Sequence, residues 1–211
     1  MARNLDPKCK QCRREGTKLF LKGERCNTSK CALTRRNYIP GMHGVKLGKG
    51  GRLTGYGIQL REKQKAKRTY RLLEKQFRSY FDKAISEVGD TGENIYKLLE
   101  MRMDNVIYRA GFCNSRDFAR QMVNHGHFLL NGRRASIPSI NVKVKDKITF
   151  RPKSLEIEEI KNLPEKLKNK EMTDWLVVEP ESLTITVLDV PSSEKSKPNF
   201  DLRAINEYYS R

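Results

Sequence analysis

Four cysteines stand in the first 31 residues as Cys9-x2-Cys12 and Cys26-x4-Cys31, with 13 residues between the pairs. Two close pairs joined by a loop long enough to turn back can bring four thiolates onto one tetrahedral ion. Residues 1–45 otherwise hold few large apolar side chains, chiefly Leu5, Leu19, Phe20, Leu21, Leu33, Tyr38 and Ile39, too few for a good core. Metal binding stabilises small structural sites by on the order of 10–16 kcal/mol, so it would replace that core. Zn(II) is the expected occupant in a reducing cytosol, with an iron–sulfur cluster on the same four thiolates as the alternative. Two disulfides of a secreted domain are the other use of such spacing. Residues 1–8 hold no apolar signal region, which counts against it.

Charge indicates what the rest of the chain faces. Lys and Arg number 43 against 25 Asp and Glu, a formal net charge of +18 and a pI near 9.8. That balance points to a polyanion, with nucleic acid the leading candidate. An anionic membrane surface is the runner-up, opposed by the lack of any apolar run of transmembrane length or lipidation signal. The sign is unevenly spread. Residues 1–60 carry 14 basic and 3 acidic side chains, 61–90 carry 9 and 5, 91–153 carry 12 and 5, and 154–211 carry 8 and 12. An RNA-facing side is therefore expected from the first 153 residues.

Pro40 and the glycines from Gly41 to Gly57 exclude regular helix and predict an irregular connector bearing Lys46, Lys49 and Arg52. Apolar residues from Ala66 to Val88, spaced mostly by three or four, predict one amphipathic helix from about Arg61. Arg61, Lys63, Lys65, Lys67, Arg68 and Arg71 would crowd its positive N-terminal end, so an external anion, RNA backbone, is expected there. A second helix follows from Ile95 to Ala110, ended by Gly111. Ser115 caps a short helix over 116–124 that turns Arg116, Arg120 and Gln121 outward. Asn131-Gly132 between strand-like runs predicts a hairpin, because both turn residues must take positive φ. Further strand is expected at Val142, Val144 and 148–150, then a helix over 154–170 capped by Ser154 and interrupted by Pro164. Trp175–Val178 and Leu183–Leu188 read as strands, 191–198 as a linker and 201–211 as a closing helix. Trp175 and Cys113 are expected to be buried core residues.

These residues resemble the bacterial-type small-subunit ribosomal protein S4 family over nearly the whole chain. Tyr56-Gly-Ile-Gln-Leu-Arg-Glu-Lys-Gln-Lys65 and Leu73-Glu-Lys-Gln-Phe77 are similar to the family's basic helix. Arg102 to Arg109, Gly111-Phe112, Ser115-Arg116, Ala119 to Gln121 and His125-Gly-His through Arg134 are similar to its RNA-binding module. The cysteine spacing resembles its metal-containing branch, and Tyr208-Tyr-Ser-Arg211 its ending. The fold expected is α+β: a metal-stapled irregular N-terminus (1–45), a mainly helical body (46–98 with 154–211), and an inserted small RNA-binding module (99–153) of helices on a small twisted antiparallel sheet. The resemblance implies direct, early binding of small-subunit rRNA and a place beside neighbouring small-subunit proteins. It also implies nearness to where mRNA enters, with effects on decoding accuracy. Two departures stand out: Arg71 replaces the family's Gly, and residues 191–200 replace a more Arg-containing approach to the C-terminus.

Arginines and lysines neutralise phosphates, and an irregular backbone selects a folded RNA shape. The candidate contacts are Arg13, Arg14, Lys18, Arg35, Arg36, Arg61, Lys63, Lys65, Arg116, Arg120, Asn131, Arg133 and Arg134. The alternatives are an auxiliary RNA-binding protein, or an RNA-modifying enzyme such as a pseudouridine synthase using the same module. Arg102-Met-Asp104 faintly resembles the synthases' Arg-Leu-Asp motif, yet sits in an amphipathic helix where a structural Asp is expected. There is no phosphate-binding GxxxxGK[ST] loop, and His43, His125 and His127 fit capping or phosphate contact better than catalysis. A DNA-binding zinc protein would need a regular helix for a groove, which Gly16 and Gly23 disfavour. The expectation is a non-enzymatic cytoplasmic protein of the small ribosomal subunit, without membrane or small-molecule partners.

Overall fold

The computed structural model describes residues 4–42, 44, 53–168 and 173–210. His43, Lys46, Lys49 and Arg52 lie outside the described residues. In chain order the elements are α1 (Lys8–Glu15), a 3-10 turn (Gly23–Cys26), α2 (Ala32–Arg35), α3 (Gly55–Thr69), α4 (Glu74–Ser86), α5 (Thr91–Glu100), α6 (Met103–Arg109) and α7 (Arg116–Asn124). Strands β1 (Phe128–Leu130), β2 (Arg133–Ala135) and β3 (Lys147–Phe150) come next, then a 3-10 turn (Pro152–Ser154), α8 (Glu158–Lys161) and α9 (Leu163–Lys168). The chain continues with β4 (Leu176–Glu179), β5 (Thr184–Val187), α10 (Ser193–Ser196) and α11 (Leu202–Tyr209). Two compact units form, residues 1–95 with 197–211 and residues 96–196. Among the described residues no helix is long and apolar enough to cross a membrane.

In the first unit the cysteine segment, expected to be irregular, contains a regular helix of eight residues, α1, closed by Gly16 at φ +67°. The expected single helix over 61–88 is two. Helix α3 starts earlier, where the Thr54 hydroxyl accepts the Gly57 N–H at 3.2 Å. Arg71 at φ +58° then separates it from α4. The apolar spacing runs across this break, so periodicity alone could not find it. The Phe77, Phe81 and Ala84 side chains of α4 are buried, and Tyr209 of α11 stacks on Phe81 with ring centroids 4.4 Å apart. Each such large apolar side chain removed from water contributes roughly 1.5–3 kcal/mol. Asp201 caps α11 by accepting the Arg203 N–H at 2.8 Å.

Arg71 takes a left-handed backbone that glycine would adopt without strain, which accounts for the glycine that the family resemblance leads one to expect there. The arginine compensates through its side chain. Buried, its guanidinium donates to Gln11 Oε1 at 3.1 Å and to the Asn4 carbonyl, joining the start of the chain to the α3–α4 turn. Arg71 is therefore neither a phosphate ligand nor a solvated charge. Arg71→Gly is expected to relieve backbone strain but lose more in charge-assisted hydrogen bonds, a net cost of about 1 kcal/mol. Hydrogen exchange should show faster amides around Gln11, while α4 stays protected.

In the second unit the antiparallel sheet has the order β2-β1-β3-β5-β4. Asn131 and Gly132 take φ +49° and +78°, the geometry of the expected hairpin turn. Strands β4 and β5 join this sheet through the pair Ile148↔Ile185. Residues 154–196, assigned from sequence to the helical body, therefore belong with the sheet. Phe128, Phe150, Ile185 and Val187 point to one face and pack with Val106, Ile107, Phe112, Ala119 and Val123 of the helical layer. Trp175 and Cys113 are buried there, as expected.

The expected helix from Ile95 to Ala110 breaks at Arg102, whose extended backbone bridges to Asn141 before α6 begins. Gly111 ends α6 at φ +88°, and the Ser115 hydroxyl accepts the Phe118 N–H at 3.2 Å to start α7. Ser154 does not cap a helix; its hydroxyl meets His127 Nδ1 at 2.9 Å. Pro164 lies in the first turn of α9, where its missing N–H costs nothing, and so begins a helix instead of interrupting one.

Candidate nucleic-acid interface and cysteine cluster

Because α3 starts at Gly55, its cations sit in the middle and last turn, where they suit the helix dipole. Most already have internal anions. Glu15 of α1 takes Arg61 at 3.3 Å and also Arg68. Glu62 takes Lys65 at 2.6 Å, and Glu74 takes Lys63 at 2.5 Å and Lys67 at 2.7 Å. Burial pushes the Glu74 carboxyl up, but the two ammonium groups outweigh it and hold the pKa at about 2. At Glu15 burial wins over Arg68 and Arg61, and the carboxyl is raised. No external anion is needed to resolve the charge of α3. Lys63, 3% exposed with its ammonium 4.5 Å from the Tyr208 ring centroid, is a packed residue and not a surface phosphate ligand.

The N-terminal candidates divide the same way. Arg13 donates to the Tyr38 carbonyl at 3.0 Å and lies over the Tyr38 ring, so it holds the segment together. Arg14, Lys18, Arg35 and Arg36 are exposed and have no ion-pair partner among the described residues. Lys10, Lys22 and Lys30 are exposed beside them in sequence. Sequence reasoning passed these over because nothing but their charge marks them.

In the second unit, two arginines expected to face outward serve the core. Arg120 is 2% exposed and lies 3.4 Å from Asp104, which also accepts from Arg102 Nε at 3.0 Å and Nη2 at 2.8 Å. Arg116 donates to Asn105 at 2.7 Å and sits over the Tyr108 ring. Fully buried Glu100 meets Arg109 with two 2.8 Å hydrogen bonds. The cause lies in the helix α6–α7 pair: its polar faces turn toward each other and pair charges across the seam. Replacing Arg116 and Arg120 would therefore remove ion pairs before it removed any phosphate contact.

The hairpin end remains open. Asn131 donates to Asp146 at 2.8 Å and accepts the Lys147 N–H at 2.9 Å, which locks the two turns together and makes this side chain structural. Around that lock, Arg133, Arg134, Lys143, Lys145 and Lys147 are exposed without ion-pair partners among the described residues. The Arg134 guanidinium lies so close to Gly126, at φ +74°, that a Cβ there would fall 2.5 Å from Nε. Lys143, Lys145 and Lys147 were missed because that turn reads as a plain strand connector; its charge was the available signal. Arg133→Ala with Arg134→Ala is expected to lower RNA affinity and reduce the salt slope of log K by about one for each phosphate no longer neutralised. Circular dichroism should stay unchanged, since neither side chain pairs internally.

All four N-terminal cysteines are free thiols lining one cavity of about 20 Å³. Cys26 Sγ accepts the Lys22 N–H at 3.4 Å. Burial pushes the Cys12 thiol up, with the nearby Cys26, Cys9 and Cys31 adding to it. At Cys31 burial also pushes up, but the Thr34 and Leu33 N–H groups, with the Thr34 side chain, outweigh it and the thiol is lowered. The cysteines converge, yet among the described residues no three His, Cys, Asp or Glu side chains are arranged to hold a metal ion. A cluster of only Cys12, Leu19 and Leu21 is buried beside the cavity.

Residues 3–100 match the family model of the ribosomal protein S4/S9 N-terminal domain, and residues 101–148 match that of the S4 domain. The chain is similar to the small ribosomal subunit protein uS4 of Trichlorobacter lovleyi, 51% identical over 211 residues with both chains covered completely. Its likeness to uS4 of Thermotoga petrophila is 50% over 212 residues, and to uS4 of Syntrophomonas wolfei 50% over 211, again with complete coverage of both chains.

Proposed function

The chain belongs to the ribosomal protein S4 family, and from that premise we propose that it is a structural protein of the cytoplasmic small ribosomal subunit that binds small-subunit rRNA. It is not an enzyme. Full-length identity of about half the residues carries this conclusion, because the likeness is not confined to the small module shared with RNA-modifying enzymes. The finer function is early binding during subunit assembly and a position near where mRNA enters. Supporting direct contact with rRNA are the exposed cations at the hairpin and at Arg14, Lys18, Arg35 and Arg36, which suit backbone contacts with folded RNA. The test is binding of the purified protein to naked small-subunit rRNA against large-subunit fragments at two salt concentrations. A preference for small-subunit RNA that survives the higher salt is expected. Equal, salt-collapsed binding to both would reduce the interaction to nonspecific charge attraction.

For the cysteines the proposal is a structural Zn(II) site held by Cys9, Cys12, Cys26 and Cys31. The ion would supply a four-coordinate cross-link to a segment whose buried cluster is too small to fold it. The donor chemistry fits: four thiols outside any disulfide, three of them (Cys12, Cys26 and Cys31) accepting backbone N–H groups, line a cavity sized for about one ion or water. Elemental analysis of the purified chain should find one zinc per molecule, and the visible absorbance of an iron–sulfur cluster would replace this assignment with the alternative.

A further inference from the structure

A second cavity, of about 270 Å³, lies wholly within the second unit. Arg109, Thr173, Asp174, Trp175, Asp189 and Lys195 help to line it. Trp175 is 4% exposed, and among the described residues neither its indole N–H nor the buried Thr173 hydroxyl has a hydrogen-bond partner. Buried polar groups are nearly always satisfied, so two orphans on one cavity wall call for an occupant that brings an acceptor. Asp174 and Asp189 also line it as exposed carboxylates; of the two cations among the lining residues Arg109 is held by Glu100, which leaves Lys195 against both. Leu188 and Val190, on either side of Asp189, are exposed apolar side chains. Over residues 154–196 the chain holds five Lys and Arg against ten Asp and Glu, reversing the sign of the rest.

We infer that this cavity is a socket for an arginine or lysine of a neighbouring basic protein, whose backbone carbonyl meets the Trp175 indole N–H while its cation meets Asp174 and Asp189. The inference rests on the proposed place of the chain among small-subunit proteins. The space is below the ~300–1,000 Å³ of a typical small-molecule site and suits one side chain on an extended strand. RNA is disfavoured because, with Arg109 held by Glu100, its phosphates would face two carboxylates against Lys195 and an acidic surround. The exposed Leu188 and Val190 give the apolar contact that a protein partner uses and a phosphate backbone does not.

The chain has a single Trp, so its indole N–H resonance reports on this cavity alone. Full-length labelled protein would be titrated with an acetylated and amidated Ala-Arg-Ala-Arg-Ala peptide, its glutamate counterpart, and a uridine trinucleotide. A saturable indole shift with the arginine peptide only is expected. Asp174→Asn combined with Asp189→Asn should raise the dissociation constant roughly tenfold or more and leave rRNA binding unchanged. Trp175→Phe, which keeps the buried ring and removes the N–H, should weaken binding several-fold as read from the Ser192 amide. A shift with the trinucleotide or the glutamate peptide, or no shift with any of the three, overturns the socket. Failure of the rRNA preference in the unmodified protein would overturn the proposed function instead and leave the peptide result standing.

Discussion

Cys26→Ala is expected to abolish slow amide exchange over residues 8–40 while α3, α4, α11 and the second unit keep theirs. Cys26 closes the 3-10 turn Gly23–Cys26 and lines the cavity with the other three thiols. Removing it would take away one of the four ligands of the proposed Zn(II) site, of a kind that supplies on the order of 10–16 kcal/mol. What remains is the small cluster of Cys12, Leu19 and Leu21, the Arg13 contact with Tyr38, and the Glu15 and Arg71 contacts of α1 with α3 and the turn after it. Those tie α1 down but, with Cys26 gone, leave Leu19, Leu21 and Cys31 as the buried apolar side chains described in residues 17–36. Cys113→Ala is the control: that thiol is buried in the second unit, and its loss should leave residues 8–40 protected. Unchanged protection in Cys26→Ala would mean that the segment folds on its own contacts and that the cysteines are not its staple.

What was legible in the sequence was local. Ser115 capping α7, Gly111 after α6 and the Asn131-Gly132 turn each depend on a residue's own φ or a hydrogen bond three residues away. Misreadings arose where distant residues decide. The α3 cations looked available because Glu15 lies 46 residues from Arg61 and 53 from Arg68, and nothing in the intervening chain announces the pairing. Strand β5 looked like part of the helical body because its partner β3 is far away in sequence, and alternation gives a strand without naming its neighbour. Net charge correctly called for a polyanion, but it could not separate cations that face solvent, such as Arg133 and Arg134, from cations that hold the fold, such as Lys63 and Arg120. Arg71 shows the two levels together: the family resemblance flagged it as unusual, and only its backbone and its bonds to Asn4 and Gln11 say what it does.

Asp104→Ala is expected to destabilise the second unit by about 3–5 kcal/mol, because it strips the shared carboxylate from two buried arginines. Arg102 and Arg120 are each 2% exposed and Asp104 is 5% exposed, so water cannot take over the lost pairing. Arg102 also holds the break between α5 and α6 through its bridge to Asn141, and Asp104 N–H bonds the Pro138 carbonyl at 3.2 Å. Loss of the carboxylate would therefore loosen the packing of α6 and α7 on the sheet. For a unit of this size the melting temperature should fall by roughly 12 °C or more. The same substitution separates structural from catalytic use of the Arg102-Met-Asp104 sequence. A catalytic carboxylate must reach a substrate, and its removal leaves the fold standing; this one is closed in by two guanidinium groups. A triple replacement of Arg102, Asp104 and Arg120 by apolar residues of similar volume should recover much of the lost stability, since a buried ionic cluster replaced as a whole leaves no orphaned charge. An Asp104→Ala protein that melts like the parent would show that the triad contributes little, and would reopen the question of what Asp104 is for.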